Sequence, residues 1–323
     1  MGPIKKLTVM PTTITTAIAV FCYKRAEKLR RSVEALLLNP ECKDLEVIFF
    51  SDGAKGEADT QGVQATRRYI DSLTGFGKIT KVYRERNYST GPNFQQGIRY
   101  LCENYEQFIV VEDDLVVAPN YLRYLLDGLD FYRESPGVFC VTGFCFPIRK
   151  EGYQYDTTVH TRFCSYGWAS WSSRVAKVVW DAEGLQGMID NSPGFRTRLN
   201  AEGLDLYRML LKQISGEIST WDIQMQVHVS EHRLRVIYPV LSKTSNIGFD
   251  HESTNTFGVD YLQTIVDPGE QRMFRFCDAT LINEALRDQL RKPYSLASLA
   301  TRKVANTFIK WTSQVKKAAV SRN

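Results

Sequence analysis

The chain has 323 residues, of which 43% are hydrophobic and 24% charged, with a formal net charge of +5. These figures exclude a disordered or fibrous chain and allow one large core or two modest ones. No stretch reaches the ~20 apolar residues that span a bilayer, and the N-terminus lacks a signal-peptide pattern. The seven cysteines are scattered and show no Cys-x-x-Cys spacing, which suits neither a structural zinc site nor a disulfide framework. The chain therefore reads as cytoplasmic, and the Asn87-Tyr88-Ser89 sequon as accidental.

After a polar leader, the apolar run Thr15–Phe21 predicts a first buried strand, and Leu29, Val33, Leu36 and Leu37 share one face of a helix over Ala26–Leu38. Leu45–Phe50 reads as a second strand ending in Ser51-Asp52-Gly53, 58–73 as a second helix, and Ile79–Tyr83 as a third strand. Gly91-Pro92 opens a helix to about Tyr105, which leads into Phe108-Ile-Val-Val-Glu-Asp-Asp-Leu-Val-Val-Ala-Pro119. Tyr121–Tyr132 should be helical and Val138–Phe144 a strand. Strands alternating with helices imply a largely parallel sheet with right-handed crossovers. Beyond residue 150 the regularity fades: Arg162–Trp171 is aromatic and turn-rich, Phe195–Ile214 helical, Leu234–Val240 a late strand, and Lys243–Gly258 a mobile loop.

The most informative segment is the fourth strand, a β-branched run that stops at three consecutive carboxylates, Glu112, Asp113 and Asp114. Ligands of open α/β sheets gather outside the carboxyl ends of such strands. Three adjacent acids repel one another and resist desolvation, so a hard divalent cation, Mg2+ or Mn2+, is the simplest neutraliser, and it would also hold a diphosphate. The blander alternative is a solvated turn leading into a Pro-started helix. Neither G-x-G-x-x-G nor G-x-x-x-x-G-K-[ST] occurs, so diphosphate binding must rest on metal and cationic side chains. Asp52 could accept from a uracil N–H, and Arg25 could approach a base or phosphate.

In this order, strand, Arg25, strand, Ser51-Asp52-Gly53, Glu112-Asp-Asp-Leu-Val-Val-Ala-Pro119, Val138–Gly143, Gly167-Trp168 and Trp221-Asp222, the sequence resembles a GT-A glycosyltransferase over about residues 14–250. It is most similar to the Golgi N-acetylglucosaminyltransferases that begin complex N-glycans and to bacterial transferases of the same build. The resemblance implies a Rossmann-like, mostly parallel twisted sheet flanked by helices. It also implies inverting, metal-dependent transfer from UDP-N-acetylglucosamine or a related UDP-sugar to a hydroxyl of a glycan or lipid-linked glycan. Matched position by position, Asp114 falls on the direct metal ligand, and Glu112 and Asp113 on groups touching sugar and ribose. Asp52 falls on the uracil-reading acid, Arg25 on the basic residue beside it, and Asp222 on the catalytic base. Asp181, in a second Trp-Asp pair, is a rival base, and Asp222 could instead cap a helix. Trp168 either walls the donor sugar pocket or packs in the core. His251, in the expected mobile loop, either adds a ligand to metal or diphosphate or is a solvated loop histidine.

From Arg291 onward the chain carries eight basic residues and no acid, which leaves residues 1–290 at a formal net −3. Leu296, Ala300, Val304, Phe308, Trp311, Val315 and Ala318 share one helical face, with Arg302, Lys303, Lys310, Lys316 and Lys317 on the other. A C-terminal amphipathic helix of this kind suits an anionic membrane surface better than nucleic acid, the other reading being a stripe docked on the protein body. The expected organisation is a catalytic domain over 14–290, with a donor half to about 145 and an acceptor half after it, and a basic tail over 291–323. Golgi enzymes carry an N-terminal anchor and act in the secretory lumen, whereas this chain starts almost directly with its first strand. The expected location is therefore the inner face of a membrane. The alternatives are a sugar-nucleotide nucleotidyltransferase, against which the missing Gly-rich loop argues, and a non-catalytic glycan- or sugar-nucleotide-binding protein.

Overall fold

The structure is a computed structural model that describes residues 15–248 and 263–307. In chain order the elements are β1 (Thr16–Cys22), α1 (Ala26–Leu37), β2 (Glu46–Ser51), α2 (Glu57–Asp71), β3 (Lys78–Tyr83), α3 (Thr90–Asn104), β4 (Gln107–Glu112), β5 (Leu115–Val117), α4 (Tyr121–Phe131) and β6 (Val138–Thr142). They continue with β7 (Thr157–His160), β8 (Trp168–Trp171), α5 (Ser172–Val175), α6 (Ala182–Asn191), α7 (Phe195–Asn200), α8 (Leu206–Ile214), α9 (Asp222–Glu231), β9 (Arg235–Pro239), β10 (Thr244–Asn246) and α10 (Glu284–Arg291). A terminal helix runs over 296–307.

Eight strands form one sheet in the order β3-β2-β1-β4-β8-β6-β9-β7. The first four are mutually parallel, β6 and β9 are parallel, and β8 and β7 run against their neighbours, giving a mostly parallel α/β sheet of GT-A type. Successive side chains of a strand point to opposite faces, and β1 and β2 bury both. Ile18, Val20, Val47 and Phe49 pack with α1 and α4 on one face, while Ala17, Ala19, Phe21, Ile48 and Phe50 pack with α3 and α9 on the other. This two-sided burial is why the first half of the sequence reads as continuous apolar runs. A third, smaller core holds Leu185, Phe195, Leu199, Leu206, Leu210, Ile223 and Val227, which joins α6 to α9.

The second half departs from expectation. The aromatic segment contains β8, wedged between β4 and β6, and β7 is a strand where none is expected; both have four residues, too few to give a periodicity to read. The helix expected over Phe195–Ile214 breaks into α7 and α8 around Gly203, whose φ of +155° leaves the helical region. The expected mobile loop begins with a strand instead, since β10 pairs with β5 through Thr244↔Val117 and Asn246↔Leu115.

Gly167 holds the turn into β8 at a φ of +76°, and a Cβ there would lie 2.8 Å from Tyr121 Oη and 2.9 Å from Thr244 Cγ2. Its carbonyl accepts the Gly143 N–H at 2.6 Å, so the turn cannot shift freely. Gly167→Ala should therefore cost about 1–3 kcal/mol through left-handed strain and crowding. Thermal denaturation reads the loss as a fall of several degrees in Tm, and an unchanged Tm would show that the turn relaxes.

Candidate active site

Parallel pairing brings three loops to one edge. Phe21 lies opposite both Phe50 and Glu112 in the ladders, so the chain leaving β1, β2 and β4 delivers Arg25, Asp52 and the three acids side by side. Arg25 is the N-cap residue of α1, without a side-chain cap bond, and its guanidinium is directed to the acids. It pairs with Asp113 and, at 3.0 Å, with Asp114 Oδ2, the three side chains being only 16%, 5% and 13% exposed. The Asp113 N–H continues the ladder to the Phe21 carbonyl at 3.1 Å, and the Asp114 carbonyl accepts the Ile247 N–H at 2.8 Å. Asp114 Oδ2 also packs on the Cα side of Gly248, where a Cβ would collide with it. His251 lies outside the described residues.

A fourth carboxylate joins from the second half of the chain. Burial, then the charges of Asp114, Asp113 and Asp222, push the Glu112 carboxyl well above its ordinary value, with Arg25 opposing them. Burial raises Asp113 too, again against Arg25. Asp222 is the first residue of α9, where the helix N-terminus favours an anion. It is not the cap, because Trp221 holds that position; its Oδ1 accepts the Thr220 hydroxyl. Burial nonetheless raises its pKa above 3.8. Its placement rests on an aromatic stack: Phe21 lies 4.9 Å from Phe50 and 3.8 Å from Phe94, and Phe94 lies 4.4 Å from Trp221 at an interplanar angle of 7°. The stack ties the start of α9 to the end of β1. Asp181, by contrast, caps α6 by accepting the Gly184 N–H at 2.8 Å, a structural use of its carboxylate.

Asp52 organises the following loop. Its Oδ1 accepts the Gly53 and Tyr88 N–H groups at 2.9 and 2.8 Å, and its Oδ2 the Asn87 amide at 3.1 Å. The Ser89 backbone N–H is directed at this carboxylate as well. Burial raises its pKa despite these bonds. Arg25, expected beside Asp52, is instead committed to Asp113 and Asp114. Arg84, immediately after β3, is the cation whose charge acts on Asp52, and it lies over the Tyr88 ring at 5.0 Å. Sequence reading does not single out the end of β3, although Arg84 follows its strand much as Arg25 follows β1.

Trp168, expected as a wall of a sugar pocket, is a core residue. It is 0% exposed, with the rings of Phe163, Phe108 and Trp221 at 5.2, 5.7 and 5.9 Å. Strand β8 lies between β4 and β6, so its side chains face the covered sides of the sheet.

Four carboxylates gather here, with the guanidinium of Arg25 on Asp113 and Asp114 and that of Arg162 acting on Asp222. Among the described residues no three His, Cys, Asp or Glu groups are arranged to enclose a metal ion. That donor set still fits a hard divalent cation, because Mg2+-like ions are commonly held by one or two carboxylates and complete their shell with substrate phosphates and water. Burial first, and then the charges of Asp114, Asp113 and Asp222, raise the Glu112 carboxyl, and such an ion would offset the second of these.

The sheet, with acids at its parallel strand ends, has a GT-A build. Residues 17–198 match Glycosyl transferase family 2, and the chain belongs to that family. This is broader than the Golgi enzymes that the motifs resemble. Among solved structures, the chain is similar to the mannosyltransferase PcManGT from Pyrobaculum calidifontis in complex with GDP-Man and Mn2+, at 12% identity and a TM-score of 0.40, covering 67% of this chain and 68% of that one. It is also similar to residues 1–349 of S. aureus TarS, at 11% identity and a TM-score of 0.42, covering 72% of this chain and 60% of that one. No curated protein sequence matches it.

Proposed function

We propose that the protein is an inverting, metal-dependent glycosyltransferase that moves N-acetylglucosamine or a related hexose from a UDP-sugar to a hydroxyl of a glycan or lipid-linked glycan. The observation that carries this reading is the approach of Asp222, from the second half of the chain, to Glu112 at the end of β4, near enough for its charge to act on that carboxyl. Inversion needs a base on the face of the sugar opposite the leaving diphosphate, and Asp222 is that base, taking the acceptor proton at a carboxylate oxygen as the hydroxyl attacks the anomeric carbon. Burial raises its proton affinity, which suits the task, while the helix N-terminus holds it in place. Asp52 reads the uracil N–H, with Arg84 beside it. Glu112 and Asp113 orient sugar and ribose hydroxyls. Mn2+ or Mg2+, held by Asp114, supplies positive charge to the departing diphosphate when bound.

UDP release from a panel of UDP-sugars, with Mn2+ or with chelator, tests this directly. Slow, metal-dependent hydrolysis of one donor is the expected result; the absence of binding or turnover with every UDP-sugar would sink the UDP assignment.

The tail supports a peripheral membrane role. Among the described residues no helix is long and apolar enough to cross a membrane. Leu296 and Val304, on the apolar face of the terminal helix, are each 71% exposed, so this part of the stripe is not docked on the body. The full chain should cosediment with vesicles containing phosphatidylglycerol, less so at high salt, and Leu296→Glu with Val304→Glu should weaken binding at least tenfold. Equal recovery with neutral and anionic vesicles would refute the electrostatic part of this proposal.

A further inference from the structure

A threonine at the start of a helix ordinarily spends its hydroxyl on the helix, accepting an N–H of the first turn. Thr220 does not. Trp221 holds the cap position of α9, no side chain caps that helix, and the Thr220 hydroxyl instead donates to Asp222 Oδ1. The bond serves the carboxylate and not the helix end.

The hydroxyl is fixed from three directions. The Thr220 N–H donates to Gln213 Oε1 on α8 at 2.8 Å, and the Thr220 carbonyl accepts Gln224 Nε2, in the first turn of α9, at 3.3 Å. On α3, Gly91 lies against the same segment: a Cβ there would come within 2.8 Å of Ser219 Oγ and 2.9 Å of the Thr220 carbonyl oxygen. The next ring along, Trp221, is stacked on Phe94 of α3. Both backbone polar groups of Thr220 are therefore engaged, and a β-branched side chain has few rotamers, so the backbone sets where the hydroxyl points. Asp222 has no such restriction of its own. An Asp side chain keeps two rotatable bonds, and a carboxylate at the first position of a helix has several unpaired N–H groups within reach. Its own N–H and that of Ile223 are directed at it here. A donor anchored outside the helix selects one orientation among these.

We propose that Thr220 is a positioning residue for glycosyl transfer: its hydroxyl holds the Asp222 carboxylate in the orientation that takes the acceptor proton. The assignment rests on the reading of Asp222 as the base and adds the group that aims it. Through Gly91 and Phe94, α3 braces a base that comes from the second half of the chain. A displacement of about 1 Å at a reacting group can cost roughly 100-fold in rate, so such bracing bears directly on turnover.

UDP release from the UDP-sugar that the parent hydrolyses, with Mn2+ present and water as the acceptor, tests the assignment in Thr220→Val, Thr220→Ser and Asp222→Asn. Valine matches threonine in shape and lacks the hydroxyl; serine keeps the hydroxyl and lacks the methyl. Thr220→Val should lower kcat about 10- to 100-fold, while KM for the UDP-sugar and the affinity for UDP with Mn2+ stay within about threefold of the parent's. Thr220→Ser should keep kcat within about threefold of the parent's. The proposal fails if Thr220→Val turns over like the parent, or if Thr220→Ser is as slow as Thr220→Val. It fails too if Thr220→Val loses UDP affinity in the same proportion as kcat, which would assign the hydroxyl to the fold. In each of these cases a slow Asp222→Asn leaves the base in place. Asp222→Asn turning over like the parent, or no UDP release by the parent from any UDP-sugar, would remove the base reading and the proposal with it.

Discussion

Asp222→Asn should lower the transfer rate by about 100- to 10,000-fold, the usual contribution of a positioned general base, while leaving the affinity for UDP with Mn2+ close to that of the parent. The amide is isosteric, can still accept the Thr220 hydroxyl and still sits at the start of α9, so the fold and the donor site lose little. What disappears is the lone pair that takes the acceptor proton. The pH dependence separates this from a general disturbance. A base works only when deprotonated, so activity of the parent should fall on the acid side, with a midpoint above 3.8 because burial raises the pKa of this carboxyl. In Asp222→Asn the residual activity should lack that limb. Transfer within about threefold of the parent, or an acid limb that persists unchanged, would remove Asp222 from the mechanism.

Asp114→Ala should abolish both metal-dependent turnover and the heat stabilisation that Mn2+ and UDP together give the parent. A ligand at 100 times its dissociation constant stabilises the folded state by about 2.7 kcal/mol, so the parent's Tm should rise by several degrees and the variant's should not. The ion-free protein offers a second readout. Glu112 has a raised pKa in the fold, so the folded state retains a proton that the unfolded chain releases. Its contribution to stability is therefore present below the unfolded-state pKa and is lost as pH rises through the folded value. Ion-free parent should lose stability over that interval. Asp114→Ala removes the largest of the neighbouring charges that raise Glu112 and should flatten the slope. A Tm response to Mn2+ and UDP equal to the parent's would show that another group holds the ion.

Much of the donor half is legible in the amino-acid sequence, for a physical reason. Strands β1, β2 and β4 are covered on both faces, so each must be an unbroken apolar run, and each run ends where the chain emerges into the site. Arg25, Asp52, Glu112, Asp113 and Asp114 can thus be singled out from position alone. Their partners cannot. Arg25 lies 88 residues from Asp113, and its commitment to Asp113 and Asp114, with Arg84 acting on Asp52, depends on how three loops fold over one edge.

The second half shows the opposite balance. Trp168 in an aromatic, turn-rich segment is compatible with a pocket wall or a core, and only the insertion of β8 between β4 and β6 places it in the core. The sequence offers no local sign that α9 begins beside the acids; the stack of Phe50, Phe21, Phe94 and Trp221 determines that, through contacts between residues distant in the chain. Local composition and periodicity determined which strands are buried and where carboxylates leave them, because burial on both faces and charge at a strand end are properties of short segments. Tertiary structure decided which carboxylates meet and which cations they keep, because those depend on pairing across the whole sheet.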